Sequence, residues 1–148
     1  MKIPFSGSLA WIAVVLLFGV VRAGAQETRW LSDYNKAVEQ AKTENKSLLM
    51  DFTGSDWCPW CIKEHNDVLA KEAFKSYAST NLVLVELDFP RHTAQDPETA
   101  KQNADLQRKY QANGFPTLIK LSASGEFLWK QEGYDASVDK LLENLKSH

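Results

Sequence analysis

Cysteine is scarce in this chain. Only Cys58 and Cys61 occur among 148 residues, so no network of disulfides can hold the fold together. Histidine is nearly as scarce, with His65, His92 and the terminal His148. A structural zinc site needs about four ligands, and so dispersed a set gives zinc little footing. A c-type haem site needs a histidine directly after the second cysteine, and that position is Ile62. An excess of positive charge is missing too. The formal net charge is -2 and the basic residues are scattered, which gives no footing for nucleic-acid binding. There is no internal repeat and no low-complexity tract. The apolar run near the start, Leu9 to Val21, has 13 residues, short of the about 20 that a membrane span needs.

That run sits in a telling context. Lys2 precedes it, and "RAGAQ" with small residues at Ala23 and Ala25 follows it. A positive start, a short apolar stretch and a small-residue cut site read as a secretory signal peptide over residues 1–25. The alternative is an uncleaved anchor. No cysteine follows the cut, so a lipid-anchored form is not supported. The expected mature domain is 26–148, periplasmic or secreted. Its formal charge moves from -2 to -4, because Lys2 and Arg22 leave with the signal.

The rest is an ordinary globular mix, 24% charged and 44% hydrophobic, of a size that buries a core without a covalent staple. A disulfide across two intervening residues closes a very small loop and removes little unfolded-chain entropy. The cysteines are therefore weak candidates for structural work.

The periodicities predict an α, β, α, β, α, β, β, α order. Ser32 is a candidate N-cap for a helix carrying Tyr34, Ala37, Val38 and Ala41 at i, i+3, i+4, i+7. "LLMDF" (Leu48 to Phe52) and "LVLVELDF" (Leu82 to Phe89) read as strands buried on both faces. Between them a helix opens at the cysteine motif, with Ile62, His65, Val68 and Leu69 on its apolar face, and continues past a bend to Phe74 and Tyr77. "ETAKQNADLQRKYQ" is helical, with a weak face at Asn103, Leu106 and Tyr110. "TLIKLS" and "FLWKQ" flank "ASGE" and read as a hairpin turning at Gly125. Val138, Leu141, Leu142 and Leu145 mark a last helix. A right-handed crossover makes the first two strands parallel. The expected architecture is an α/β fold, a four-stranded mixed sheet flanked by helices on both faces.

In "DWCPWC", Asp56 to Cys61, the pair stands between a buried strand and a helix. Proline is favoured at the first helical position, which makes Cys58 the N-cap and Cys61 the third residue of the helix. A sulfur at the N-cap meets a backbone N–H and the positive end of the helix dipole. That lowers the thiol pKa and makes a nucleophile. Cys61, one turn in, is expected to be more sheltered. An exposed attacking thiol and a sheltered resolving thiol are the two parts of disulfide exchange.

"DFTGSDWCPWC" followed downstream by "GFPT" resembles the thioredoxin superfamily. It is similar in style to secreted single-domain members and to the soluble C-terminal domain of membrane thiol–disulfide interchange proteins. The likeness runs from Trp30 to about Leu145. The resemblance implies a thioredoxin fold and a thiol–disulfide oxidoreductase in which Cys58 attacks and Cys61 resolves. It implies that Pro116 is a cis-proline facing the dithiol, where a substrate strand pairs alongside. It also implies that Asp51 exchanges a proton near Cys61 and that Trp57 shields the sulfur on one side; Trp57, Trp60 and Phe115 are the candidate substrate contacts. No cofactor or metal is implied, since the cysteines carry the electrons. Implied partners are proteins with disulfides or thiols and a membrane electron donor of the interchange type, with the chain itself a monomer.

Three features depart from the family pattern. One extra residue separates Asp51 from Cys58, which leaves open whether the carboxylate reaches Cys61. "PW" between the cysteines is similar to the Pro-aromatic pair of glutaredoxins. The stretch around Arg91 to Ala100 is an added surface segment. His65 reads as a hydrogen-bonded, half-buried residue, or else as a modulator of Cys61. Trp60 reads as a substrate platform or a packed lid, Trp30 and Trp129 as core, and His92 as solvated surface. The uncharged Pro59 and Trp60 argue for a mild couple, about -200 to -270 mV, rather than the about -120 mV of a dedicated oxidase. Reduction or isomerisation is thus expected. The alternatives are a disulfide-forming oxidase and a binding module with a passive disulfide.

Overall fold

The computed structural model describes residues 28–148. The expected signal segment, residues 1–25, lies outside them. In chain order the elements are β1 (Trp30–Leu31), α1 (Tyr34–Glu44), β2 (Ser47–Thr53), α2 (Pro59–Glu64), a π-helical turn (His65–Leu69) and α3 (Glu72–Asn81). There follow β3 (Leu82–Asp88), α4 (Pro97–Tyr110), β4 (Thr117–Leu121), β5 (Phe127–Glu132) and α5 (Val138–Ser147).

The sheet has five strands in the order β1-β3-β2-β4-β5, one more than the sequence predicts. The added strand is the two-residue β1, parallel to β3, too short to show a periodicity of its own. β2 and β3 are parallel, while β4 runs antiparallel to β2 and to β5. The thioredoxin fold is therefore the observed architecture. The turn between β4 and β5 places Gly125 at φ 89°, a conformation that glycine adopts without strain. The first helix is capped one residue later than expected, by Asp33, whose side chain accepts from the Lys36 N–H at 3.0 Å.

Side chains alternate across the central strands, so each face has its own core. Leu48, Met50 and Phe52 meet Ala37, Ala41 and Leu106 from α1 and α4. Leu49, Leu84 and Leu118 meet Val68, Leu69, Phe74 and Leu145 from the π turn, α3 and α5. Lys120 shares this second face, and its ammonium donates to the Leu145 carbonyl at 2.7 Å. A cation there suits the negative end of α5.

The helix that opens at Cys58 differs from expectation in which residues face inward. Hydropathy puts Ile62 and His65 inside, but both are exposed. Cys61, Glu64 and Val68 are buried instead. They stand at i, i+3 and i+7, the true inner face, and Ile62 lies about 100° round the helix from Cys61. The bend is the π turn, closed by the Ala70 N–H on the His65 carbonyl at 2.7 Å.

Glu64 is thus a carboxyl group inside the fold, with 1% of its surface exposed. Its Oε1 accepts from the Gln131 amide at 3.3 Å. Its Oε2 has no partner among the described residues. Burial pushes its pKa to about 7, against a modest lowering by the Gln131 hydrogen bond. A carboxyl raised in the folded state favours folding fully below its unfolded value near 4.5, and that advantage is lost as pH climbs through about 7. Glu64→Gln should abolish this component. From pH 4.5 to pH 8 the wild type should lose about 2–3 kcal/mol of stability relative to the variant. Urea unfolding of both oxidised proteins across that range measures the difference, and parallel pH profiles would contradict the assignment.

Candidate active site

The cysteine motif crowns the end of the sheet where β2 finishes. Cys58 is the N-cap of α2, with φ -90° and ψ 106°, and Pro59 follows in the first turn. The two sulfurs form a disulfide with the Cα atoms 5.3 Å apart. The Cys61 N–H points at Cys58 Sγ at 3.2 Å. That sulfur is half of a disulfide here and stands in for the thiolate, which would receive the same N–H in the reduced protein. The expected cap geometry is therefore present. The expected difference in exposure is not: Cys58 is 4% exposed and Cys61 3%. Their asymmetry lies in helix position, since only Cys58 Sγ receives an N–H from the first turn.

The Phe115–Pro116 bond is cis, the form the resemblance implies. Phe115 meets the Trp57 ring edge-on at 5.7 Å and packs on Phe89 at 5.0 Å. Trp57 is further fixed by its indole N–H, which donates to the Phe89 carbonyl at 2.7 Å. Its ring lies over Gly54, where an added Cβ would come within 2.5 Å of Trp57 Cε2. Only a residue without a side chain lets the motif loop fold back this closely. Trp60 is 56% exposed and stacks on Tyr134 at 5.8 Å. It is an open aromatic shelf rather than a packed lid.

Beneath the disulfide the site is acidic. Asp51 is buried at 5% exposure, and its Oδ1 has no hydrogen-bond partner among the described residues. It pairs in register with Glu86 on β3 and Leu118 on β4, and Leu118 pairs with Gln131 on β5. These four form one row across the inner face, under α2. A cavity of about 250 Å³ opens beside Cys61 and is lined by Asp51, Thr53, Ser55, Ile62, His65, Asn66 and Glu86. The extra residue before the motif therefore leaves Asp51 and Cys61 on one cavity. Burial is the main cause that raises Asp51 well above the usual carboxylate range, and the charges of Glu64, Glu86 and Asp88 add to it. Glu86 is raised too, by burial and by Asp88, while His65 pulls it back. His65 is exposed and lines the same cavity.

Three residues that sequence reasoning undervalued shape the site, two at its rim and one beneath it. Asp56 accepts from the backbone N–H of Arg91 at 2.9 Å, of His92 at 2.8 Å and of Thr93 at 3.0 Å. These bonds, the Arg91 N–H foremost, hold its carboxyl below the ordinary range. Arg91 lies over the Trp57 ring, 3.4 Å from its centroid. Glu64 completes the acidic ground. Helical phase from Cys61 could have found Glu64. No local pattern in the sequence could have joined Asp56 to a segment 35 residues away.

Comparison with known proteins agrees with this geometry. The thioredoxin-like domain family matches residues 34–147. The chain is 37% identical over 126 residues to the disulfide bond reductase DsbH of Chlamydia pneumoniae, covering 82% of this chain and 75% of that protein. It is 33% identical over 93 residues to the thioredoxin-related protein DsbJ of the same organism, of which it spans only 27%. A solved structure of a DsbH oxidoreductase superposes with a TM-score of 0.72 at 32% identity, covering 97% of this chain and 96% of that one. A thioredoxin from Thermus thermophilus, at 20% identity, shares the fold with a TM-score of 0.63 over 82% of this chain and 87% of its own. The chain belongs to the thioredoxin-like family and is a thiol–disulfide oxidoreductase of that fold.

Proposed function

We propose that the protein is exported and reduces disulfides in client proteins. Cys58, as thiolate, attacks one sulfur of a client disulfide. The first client thiolate leaves and a mixed disulfide with Cys58 forms. Cys61 then loses its proton and attacks Cys58 Sγ. The second client thiolate departs, and the Cys58–Cys61 disulfide remains. The client gains two electrons and the protein loses two. Asp51 takes the Cys61 proton, because its raised proton affinity is closer to that of a thiol, and passes it to a departing thiolate. The client lies extended beside Pro116, between Trp57 and Phe115 on one flank and the Trp60 shelf on the other.

The acidic ground beneath the dithiol is the observation that carries the direction. A strong oxidant needs its reduced thiolate stabilised. Here Asp51, Glu64 and Glu86 face the site from below, and Pro59 and Trp60 carry no charge. The first turn of α2 favours the thiolate. The relative named a disulfide bond reductase points the same way. A reductant outside the cytoplasm must be recharged, which calls for a membrane dithiol donor of the interchange type. Residues 1–25 serve as the export signal in this reading, and the working form is a monomer. Among the described residues no helix is long and apolar enough to cross a membrane.

Three measurements test the reading. Cys58→Ser should abolish reduction of an insulin-type disulfide, whereas Cys61→Ser should accumulate mixed disulfides. Preferential alkylation of Cys61 in the reduced protein would reverse the roles. Asp51→Asn should slow release of the mixed disulfide by about 10²-fold while sparing its formation, and an unchanged release rate would remove Asp51 from the chemistry. Equilibration against glutathione, read by tryptophan fluorescence, should give a potential of about -200 to -270 mV. A value above about -150 mV, between the isomerase and oxidase couples, would make the protein an oxidase.

A further inference from the structure

The segment after β3 is held against the active site by two carboxylates, Asp56 and Asp88. Asp56 stands two residues before Cys58. It takes three consecutive backbone N–H groups, Arg91 to Thr93, and its Oδ2 also accepts the Thr93 hydroxyl at 3.2 Å. Asp88 fastens the base of the same segment. Its carboxylate accepts the Ser55 N–H and hydroxyl at 2.9 and 2.7 Å, and its carbonyl accepts the Gln95 and Asn103 amides. So many bonds between two exposed loops fix where Arg91 begins.

They also fix where its charge ends up. The guanidinium lies on Trp57, the residue next to Cys58, and Trp57 in turn abuts Phe115 beside Pro116. Arg91 is exposed and forms no ion pair among the described residues. The nearby carboxylates of Asp56 and Asp88 already hold the donors named above. The rim carries both signs, with Arg91 and Lys63 set among Asp56, Asp67 and Asp88. Long-range steering is therefore weak, and any selectivity must come from the donor fork itself, which matches a carboxylate at short range.

We propose that Arg91, presented over Trp57 by the Asp56-anchored turn, reads an acidic side chain beside the cysteine of a client disulfide. Arg91 is a specificity-determining residue in this view, and Asp56 a positioning residue that acts through it. The inference rests on the reduction reading above, with the client extended along Pro116. A lysine would not replace Arg91 well, because it lacks both the planar stacking surface and the fork.

Three disulfide-bonded peptides of equal length test it, with Glu, Gln or Lys on both sides of each cysteine. The dithiol protein is mixed with each, and the second-order rate of its oxidation is followed by tryptophan fluorescence. The Glu peptide should react about fivefold faster than the Gln peptide, the factor an exposed charge pair supports, and the Lys peptide slowest. Arg91→Glu should invert the order, Arg91→Lys should keep only part of the preference, and Asp56→Asn should flatten it. A change shared by all three peptides reports on the sulfur and leaves their ratio alone. An unchanged ratio in Arg91→Glu, or equal rates for all peptides in the wild type, would overturn the proposal while sparing the reduction reading. Failure of the wild type to reduce any peptide would overturn both.

Discussion

The N–H of Cys61 has one place to point, and Cys58 Sγ is there. This contact sets the rest of the site. A helix leaves its first N–H groups without partners inside itself, and here a sulfur satisfies one of them instead of the usual oxygen. Cys58 must therefore keep an extended backbone, Pro59 can occupy the first turn without losing a needed donor, and Cys61 falls one turn inside. The motif loop must then double back over Gly54, whose missing side chain admits the Trp57 ring. A reactive disulfide and a helix start are thereby one piece of local geometry.

The same helix carries the feature that opposes it. The helix terminus favours negative charge on Cys58, while the inner face of α2 lowers Glu64 toward Asp51 and the Gln131 end of the sheet row. Two carboxyl groups buried together, each with an unpartnered oxygen, resist ionising. A thiolate nearby adds another negative charge to the same ground. The couple is then a balance between a dipole above and acids below.

Much of this was legible in the sequence, and the failures share a cause. Apolar runs gave β2 and β3 because both faces of a central strand are buried, and Pro59 betrayed the helix start because its steric preference is local. Pro116 was found through the resemblance of "GFPT". Misjudged residues are those whose setting is decided by a distant partner. Hydropathy counted Ile62 and His65 as the inner face and passed over Glu64, yet helical phase decided otherwise. Cys58 was expected exposed, and the packing around the motif loop buries it. Trp30 packs on the core as expected, but the two-residue strand it belongs to went unseen because only β3 pairs with it. The anchoring role of Asp56 went unread, because its N–H donors lie beyond β3.

The acidic side chains divide by the donors they meet. Asp33, Asp56 and Asp96 accept backbone N–H groups at helix starts or in a turn, and those bonds lower their pKa. Asp51, Glu64 and Glu86 are buried, and their pKa is raised. Acid therefore reaches the two sets in turn. As pH falls from neutrality the buried set takes up protons first, which relieves repulsion under the dithiol while the caps and the Asp56 anchor stay intact. The framework that positions Trp57, Arg91 and the helix start is thus insulated from the protonation of the buried set. Separating the two sets by hydrogen-bond donors, rather than by residue type, lets seven residues of sequence from Asp51 to Trp57 hold both a buried carboxyl of raised proton affinity and a hydrogen-bonded anchor.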